Sequence, residues 1–67
     1  MEANRIVKAT LAETRVTIGQ LADAYGVSKQ RMHTKLQKER SPEEQEEMRQ
    51  TAIRIARDRI RRAEEMA

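Results

Sequence analysis

The segment from Thr17 to Leu36 reads TIGQLADAYGVSKQRMHTKL, and its pattern predicts two short helices joined by a tight turn. Gly26 marks the turn, because a residue without a Cβ takes a positive φ at little steric cost. Thr17 and Gln20 have the spacing of a capping box at the start of the first helix. Ser28 is a favourable N-cap for the second helix. The segment therefore predicts helix, turn and helix in that order.

The spacing of these residues resembles the bacterial and phage helix-turn-helix family of DNA-binding proteins. The family pattern runs leucine-alanine, three residues, Gly-Val-Ser, three residues, an apolar residue, three residues and leucine. This chain has Leu21-Ala22, Gly26-Val27-Ser28, Met32 and Leu36 at those places. The match is confined to the segment 17–36, and the alternative is a small helical domain that carries such a turn without binding DNA.

The resemblance implies that the second helix enters the major groove of DNA and reads bases with its start and its outward face. The residues at those positions here are Ser28, Lys29, Gln30, His33, Thr34 and Gln37. We predict this helix over 29–39, with Met32 and Leu36 buried at i, i+4 spacing. Glutamine and lysine suit the groove, since they pair well with adenine and guanine respectively. His33 could instead be a pH switch or a metal ligand, but a lone histidine on a polar face is far more often a hydrogen-bonding side chain.

The positive charge of the chain is concentrated on the second helix. The formal net charge is +3, and residues 27–40 hold five cations against one acid. We expect contacts with DNA phosphates, which set affinity and salt dependence more than sequence preference. The expected phosphate contacts are Thr17, Arg31, Lys35, Lys38 and Arg40. The alternative for these cations is an ordinary solvated helix face.

A first helix is predicted over 2–14 and is expected to cover the two helices that follow. Its apolar face at 3.6-residue spacing consists of Ala3, Ile6, Val7, Thr10, Leu11 and Thr14. The sizeable core side chains expected for the three helices are Ile6, Val7, Leu11, Val16, Ile18, Leu21, Tyr25, Val27, Met32 and Leu36. Tyr25 is expected in the core, with its hydroxyl at an edge from which it could touch a phosphate.

Ser41 and Pro42 begin a long last helix that is expected to reach about Met66. Proline is favourable at the first helical position, and Ser41 with Glu44 has the spacing of a second capping box. No strand pattern follows the second helix, so the fold should have no wing. We predict an all-α protein: a three-helix helix-turn-helix domain over 1–40, with its unit at 17–36, and a C-terminal dimerisation helix over 41–67.

The last helix is too long, at roughly 37 Å, for so small a domain to cover. Met48, Ile55 and Met66 form one edge of its apolar arc, and Ile53 and Ile60 form the other. Two edges suggest two partners, the first three helices of the same chain and a second chain. The seam expected to meet a second copy, spaced as in a coiled coil, is Ile53, Ala56, Ile60, Ala63 and Ala67. Arg59 lies inside this arc and must snorkel or pair with an acid. Alternatively, the helix returns over its own domain.

Size and composition exclude several classes of protein. A single domain of 67 residues has a small core, so a partner chain is expected. With no cysteine and one histidine, we expect neither a metal site nor a cofactor. No apolar run reaches the roughly twenty residues needed to cross a bilayer, so we expect a cytoplasmic protein without membrane contact. The DNA-binding hypothesis adds association with the nucleoid. An enzyme with a small-molecule substrate is not expected, since there is no phosphate-binding loop and little room for a cleft.

The leading hypothesis is a small homodimeric transcriptional regulator, acting as a repressor on a palindromic stretch of double-stranded DNA. A second hypothesis is a protein interaction module that acts through the long charged C-terminal helix. A third is a DNA-binding accessory of an excision or partition machine. RNA binding is disfavoured because Tyr25 is the only aromatic residue.

Overall fold

A computed structural model of the chain describes residues 3–66, and it confirms the all-α fold. The helices are α1 (Arg5–Thr14), α2 (Ile18–Tyr25), α3 (Lys29–Lys35) and α4 (Pro42–Met66). No strand occurs within these residues, which agrees with the expected absence of a wing. None of the helices described has both the length and the apolar character that crossing a bilayer requires.

The core lies where all four helices and the α1–α2 loop contribute side chains. Its buried members are Val7, Leu11, Val16, Leu21, Ala22, Met32, Leu36, Met48 and Ala52. Helix α1 packs chiefly against α4, and α2 packs against both α3 and α4. The prediction that α1 covers α2 and α3 is therefore wrong in its main part, because α4 is the principal partner of α1.

Ile6 is an exception among the predicted core residues, since 57% of it is exposed. Helix α1 has one main packing partner, so its buried stripe is narrow and holds Val7 and Leu11 at i, i+4 spacing. Ile6 precedes Val7 by about 100° around the helix and so points away from α4. The periodicity was correct, but the width of the buried face was overestimated.

Helix α3 ends at Lys35, four residues before its predicted end at residue 39. The reason is Asn4, a buried residue that the sequence did not single out. Its amide Nδ2 donates to the carbonyls of Leu36 at 2.8 Å and Lys38 at 2.9 Å, and its Oδ1 accepts from the backbone N–H of Arg40 at 2.8 Å. In a longer α3 the Arg40 N–H would donate to the Leu36 carbonyl. Asn4 bonds both the Leu36 carbonyl and the Arg40 N–H, so these two groups do not pair with each other and the helix does not continue.

Asn4 also sets the start of α1 at Arg5 rather than residue 2. Its backbone is left-handed, with φ 58° and ψ 42°, so it lies outside the helix that it precedes. Its N–H donates to the Glu39 carboxylate at 2.7 Å. Asparagine tolerates this backbone region better than most residues. The predicted residue 2 lies outside the part of the chain that the structure describes.

Helix α4 has the predicted bounds, but the second capping box forms only in part. Ser41 Oγ accepts from the Glu44 N–H at 3.2 Å. The Glu44 carboxylate does not complete the box and instead accepts from the Arg40 guanidinium at 3.1 Å. The first half of α4 supplies Met48 and Ala52 to the core. From Arg57 to Met66 its side chains are exposed, except for a half-buried Asp58.

Candidate nucleic-acid interface

The segment from the start of α2 to the start of α3 has the predicted capping box and the predicted glycine turn. Thr17 and Gln20 form the capping box, with the Gln20 N–H donating to Thr17 Oγ1 at 3.1 Å and the Thr17 N–H to Gln20 Oε1 at 2.9 Å. Gly26 ends α2 with φ 69°, and a Cβ there would meet no atom within 4 Å. Glycine is therefore needed at this position for its backbone conformation and not for space. Val27 packs against the core beside it.

Helix α3 is held from one side only. Ser28 caps its start by accepting from the Arg31 N–H at 3.1 Å. Met32 and Leu36 are 1% and 2% exposed and anchor the helix to the core. The six residues predicted to read bases are all exposed: Ser28, Lys29, Gln30, His33, Thr34 and Gln37. The predicted burial of Met32 and Leu36 is thus confirmed, and the polar face is turned outward.

The exposed face of α3 is short, and part of its hydrogen-bonding capacity is used within the helix. The Thr34 hydroxyl donates to the Gln30 carbonyl at 3.0 Å, so its lone pairs are left to accept from another group. Gln37 lies beyond the end of the helix, where its N–H donates to the Thr34 carbonyl at 3.2 Å. Ser28, Gln30, Arg31, Thr34 and Lys35 line a shallow, open surface along α3.

The five residues predicted to contact phosphates differ in how far their side chains already interact with other groups of the protein. Arg31 and Lys38 are exposed. Lys35 lies 3.9 Å from the Glu44 carboxylate, a distance typical of a weak surface ion pair. Arg40 is half-buried and donates to Glu44 through two guanidinium nitrogens, at 3.1 and 3.4 Å, which lowers the pKa of Glu44. Arg40 therefore holds the start of α4, and Thr17 is already engaged in its capping box.

Lys29 connects the exposed face of α3 to the first turn of α2. Its Cδ atom lies 3.8 Å from the position that a Cβ on Gly19 would occupy. The aliphatic part of the side chain thus runs over α2 while the ammonium group remains in solvent. The first turns of both helices consequently meet at one edge of the molecule.

Tyr25 links α2 to α4. Its hydroxyl lies 3.4 Å from Thr51 Oγ1, and the ring is half-buried against the core. Burial raises the pKa of Tyr25. The predicted core position of Tyr25 is confirmed.

The residues of the predicted dimer seam do not share one environment. Ala56 packs against the core of its own chain, and Ile53 is half-buried. Ile60 is 59% exposed, Ala63 is also exposed, and Ala67 lies outside the described residues. Arg59 snorkels, as expected, but its partners are the backbone carbonyls of Thr14 at 3.4 Å and Arg15 at 3.3 Å. The seam is therefore free only in the second half of α4.

Asn4 and Arg59 fix both ends of α1 to the rest of the fold, and of the two only Arg59 was singled out from the sequence. Asn4 lies inside the helix predicted over 2–14, and no sequence pattern gave it a role. No signal pointed to its partners, which lie 32 to 36 residues away.

Comparisons of the chain with protein-family models, with curated proteins and with solved structures found no match.

Proposed function

We propose that this protein binds double-stranded DNA by placing α3 in the major groove. The observation that carries this proposal is the division of α3 into an anchored side, Met32 and Leu36, and an exposed side of amide, hydroxyl and cationic groups. An α-helix fits the major groove, where such groups meet a different pattern of donors and acceptors for each base pair.

The distribution of charged residues around α3 supports the same function. Residues 27–40 hold five cations and one acid, and Arg31, Lys35 and Lys38 are exposed around α3. A surface helix without a polyanionic partner usually mixes both signs of charge. If the exposed polar face of α3 lies in a groove, cations beside that face are placed to neutralise the phosphates on both sides of the groove.

We further propose that two copies act together as a homodimeric transcriptional regulator, most simply a repressor that occludes its site. A single α3 of seven residues reads only a few base pairs. Ile60 and Ala63, exposed beyond the core, offer an apolar contact between copies. Two-fold symmetry then implies a palindromic site with half-sites about 34 Å apart or a multiple of that distance.

The test is selection of binding sites from random duplex DNA, followed by titration at increasing salt. We expect a palindromic consensus. If Arg31, Lys35 and Lys38 each neutralise one phosphate, affinity should fall about fortyfold for each bound copy between about 50 and about 200 mM salt. No duplex binding at the lower salt concentration would overturn the proposal.

A second candidate function is binding of another protein through the end of α4. Ile60 is 59% and Met66 is 87% exposed on a helix segment that no other described helix covers. Under this hypothesis α2 and α3 have a structural role only and contact no ligand. Salt-independent association with a protein, together with no affinity for duplex DNA, would favour it over the proposal above.

A further inference from the structure

A second cationic surface lies between α2 and α4. Gln20, from the first turn of α2, lines a shallow groove together with Ile55, Asp58, Arg59 and Arg62 of α4. Tyr25, at the other end of α2, contacts Thr51. Helix α2 therefore runs against the direction of α4, and its first turn lies beside the arginine-rich second half of that helix.

The start of α3 reaches the first turn of α2, which also lines this groove. Lys29, the first residue of α3, packs its side chain over Gly19, and Gly19 is adjacent to Gln20 in the first turn of α2. The first turn of α2 thus lies next to Lys29 of α3 and also lines the groove that contains Arg62. A polyanion that lies along α3 meets the uncharged first turn of α2 and then Arg62 of α4.

The charged groups of the groove differ in their availability. Arg59 is held by the carbonyls of Thr14 and Arg15. Asp58 also lines the groove, and its negative charge would repel an anionic ligand. Its carboxylate accepts a hydrogen bond from Arg61 at 2.7 Å, which offsets part of that charge. Arg62 is exposed and forms no ion pair within residues 3–66. Arg62 is therefore the side chain that is free to meet a ligand.

We infer that Arg62, beside Arg59 in the groove next to α2, binds a backbone phosphate of the same duplex that α3 engages. The inference rests on the proposed function and deepens it, since it assigns part of the DNA-binding surface to α4. Guanidinium groups bind phosphate oxygens with two parallel hydrogen bonds, which suits a contact that positions the protein without reading sequence.

Arg57 provides a matched control for Arg62. Both are exposed arginines of α4, but five residues of helix separate them by about 140° around the axis. Arg57 lies with Gln50, Arg54, Asp58 and Arg61 on a surface that does not include α2, although Asp58 also lines the Arg62 groove. Replacing either residue by alanine removes the same charge and should leave the fold intact.

The experiment compares wild type, Arg62→Ala, Arg62→Lys and Arg57→Ala on the duplex obtained by selection, with affinity measured by fluorescence anisotropy over a range of salt. For Arg62→Ala we expect about an eightfold loss of affinity for each bound copy at 0.1 M salt and a salt slope that is smaller by about 0.9. Arg57→Ala should lose much less, and Arg62→Lys should recover most of the affinity. Hydroxyl-radical footprinting of Arg62→Ala should lose protection between the two half-sites, because Arg62 lies beside Ile60 and Ala63 of the proposed dimer contact, and keep it over the half-sites themselves.

Equal losses for Arg62→Ala and Arg57→Ala, with wild type binding tightly, would overturn the role of Arg62 and leave the proposed function intact. An unchanged footprint in Arg62→Ala would do the same. A wild-type protein without affinity for any duplex would overturn both.

Discussion

Asn4 accepts a hydrogen bond from the backbone N–H of Arg40 at 2.8 Å, although the two residues are 36 positions apart in the chain. The same side chain donates to the carbonyls of Leu36 and Lys38. One amide therefore satisfies three backbone groups in the connection between α3 and α4. Removing it leaves these groups without their partner in a partly buried place, which is more costly than the loss of an exposed hydrogen bond.

Asn4→Ala should lower the free energy of unfolding by about 2–4 kcal/mol, from the lost hydrogen bonds and from a Cβ residue without a polar side chain in the left-handed region. Asn4→Gly loses the same bonds but relieves the backbone, so it should be about 1 kcal/mol more stable than Asn4→Ala. Urea denaturation monitored by circular dichroism measures both. Variants that are both as stable as wild type would show that the Asn4 contacts contribute nothing.

The two glycines should respond to alanine in opposite directions. Gly26→Ala should destabilise the protein by about 1 kcal/mol, because φ is 69° there even though a Cβ would have free space. Gly19→Ala should stabilise it by about 0.5 kcal/mol, since Gly19 is helical and its Cβ would meet Thr17 Oγ1 and Lys29 Cδ at ordinary contact distances. Thermal unfolding of the pair tests the prediction, and a stabilised Gly26→Ala would contradict the described turn.

Acid should weaken the start of α4 through Glu46. Hydrogen bonds from Arg49, and then from Gln50, lower the pKa of Glu46 from 4.5 to about 2. A lowered pKa in the folded state gives stability that is present above the unfolded-state pKa and is lost as pH falls through the folded-state pKa. Glu46→Gln should therefore be less stable than wild type at neutral pH, and the difference should vanish as pH falls from about 4.5 to about 2. A difference that does not change with pH would contradict the role of the carboxylate charge.

Ile60 and Ile6 allow a matched test of self-association. They are 59% and 57% exposed, one at the end of α4 and the other on α1. Ile60→Asp should convert a dimer to a monomer in sedimentation velocity, as should the double variant with Ile53→Asp, because a buried carboxylate opposes the apolar contact. Ile6→Asp should leave the mass unchanged. Dissociation by Ile6→Asp alone would place the interface on α1, and a monomeric wild type would exclude the dimer.

Gln30→Ala combined with His33→Ala should relax the sequence preference of the protein without changing its fold, since both side chains are exposed. Each lost pair of hydrogen bonds to a base is worth about 1–3 kcal/mol of discrimination. Competition between the selected duplex and single-base variants of it measures the effect. Gln50→Ala, an exposed glutamine on α4, is the control, and an equal loss of discrimination in both proteins would show that α3 does not read the bases.

The local features of this fold were predictable from sequence, and the long-range ones were not. The Thr17 capping box, the Gly26 turn and the Pro42 start each depend on residues within a few positions of one another, so their spacing carries the information. The end of α3 depends on Asn4, more than thirty residues earlier, and nothing in the segment itself signals it. The exposure of Ile6 likewise follows from which helix α1 meets, which periodicity cannot specify.

In the candidate interface too, local features could be predicted from the sequence and long-range ones could not. The outward direction of Gln30, His33 and Thr34 followed from the buried positions of Met32 in α3 and of Leu36, the residue that caps its end. The commitment of Arg40 to Glu44, and the approach of Arg62 to the first turn of α2, depend on how α4 packs. Charge in the sequence identified the cations, and packing decides which of them are free.

The contacts of Arg59 with the carbonyls of Thr14 and Arg15 have a consequence for the order of folding. They hold the end of α1 to α4 and join residues 44 and 45 positions apart, while Asn4 holds the start of α1 to the connection between α3 and α4. Closing loops of this length costs entropy before any contact repays it. We expect α1 to dock on α4 after α2 and α3 have formed, so changes at either end of α1 should accelerate unfolding and leave the refolding rate almost unchanged.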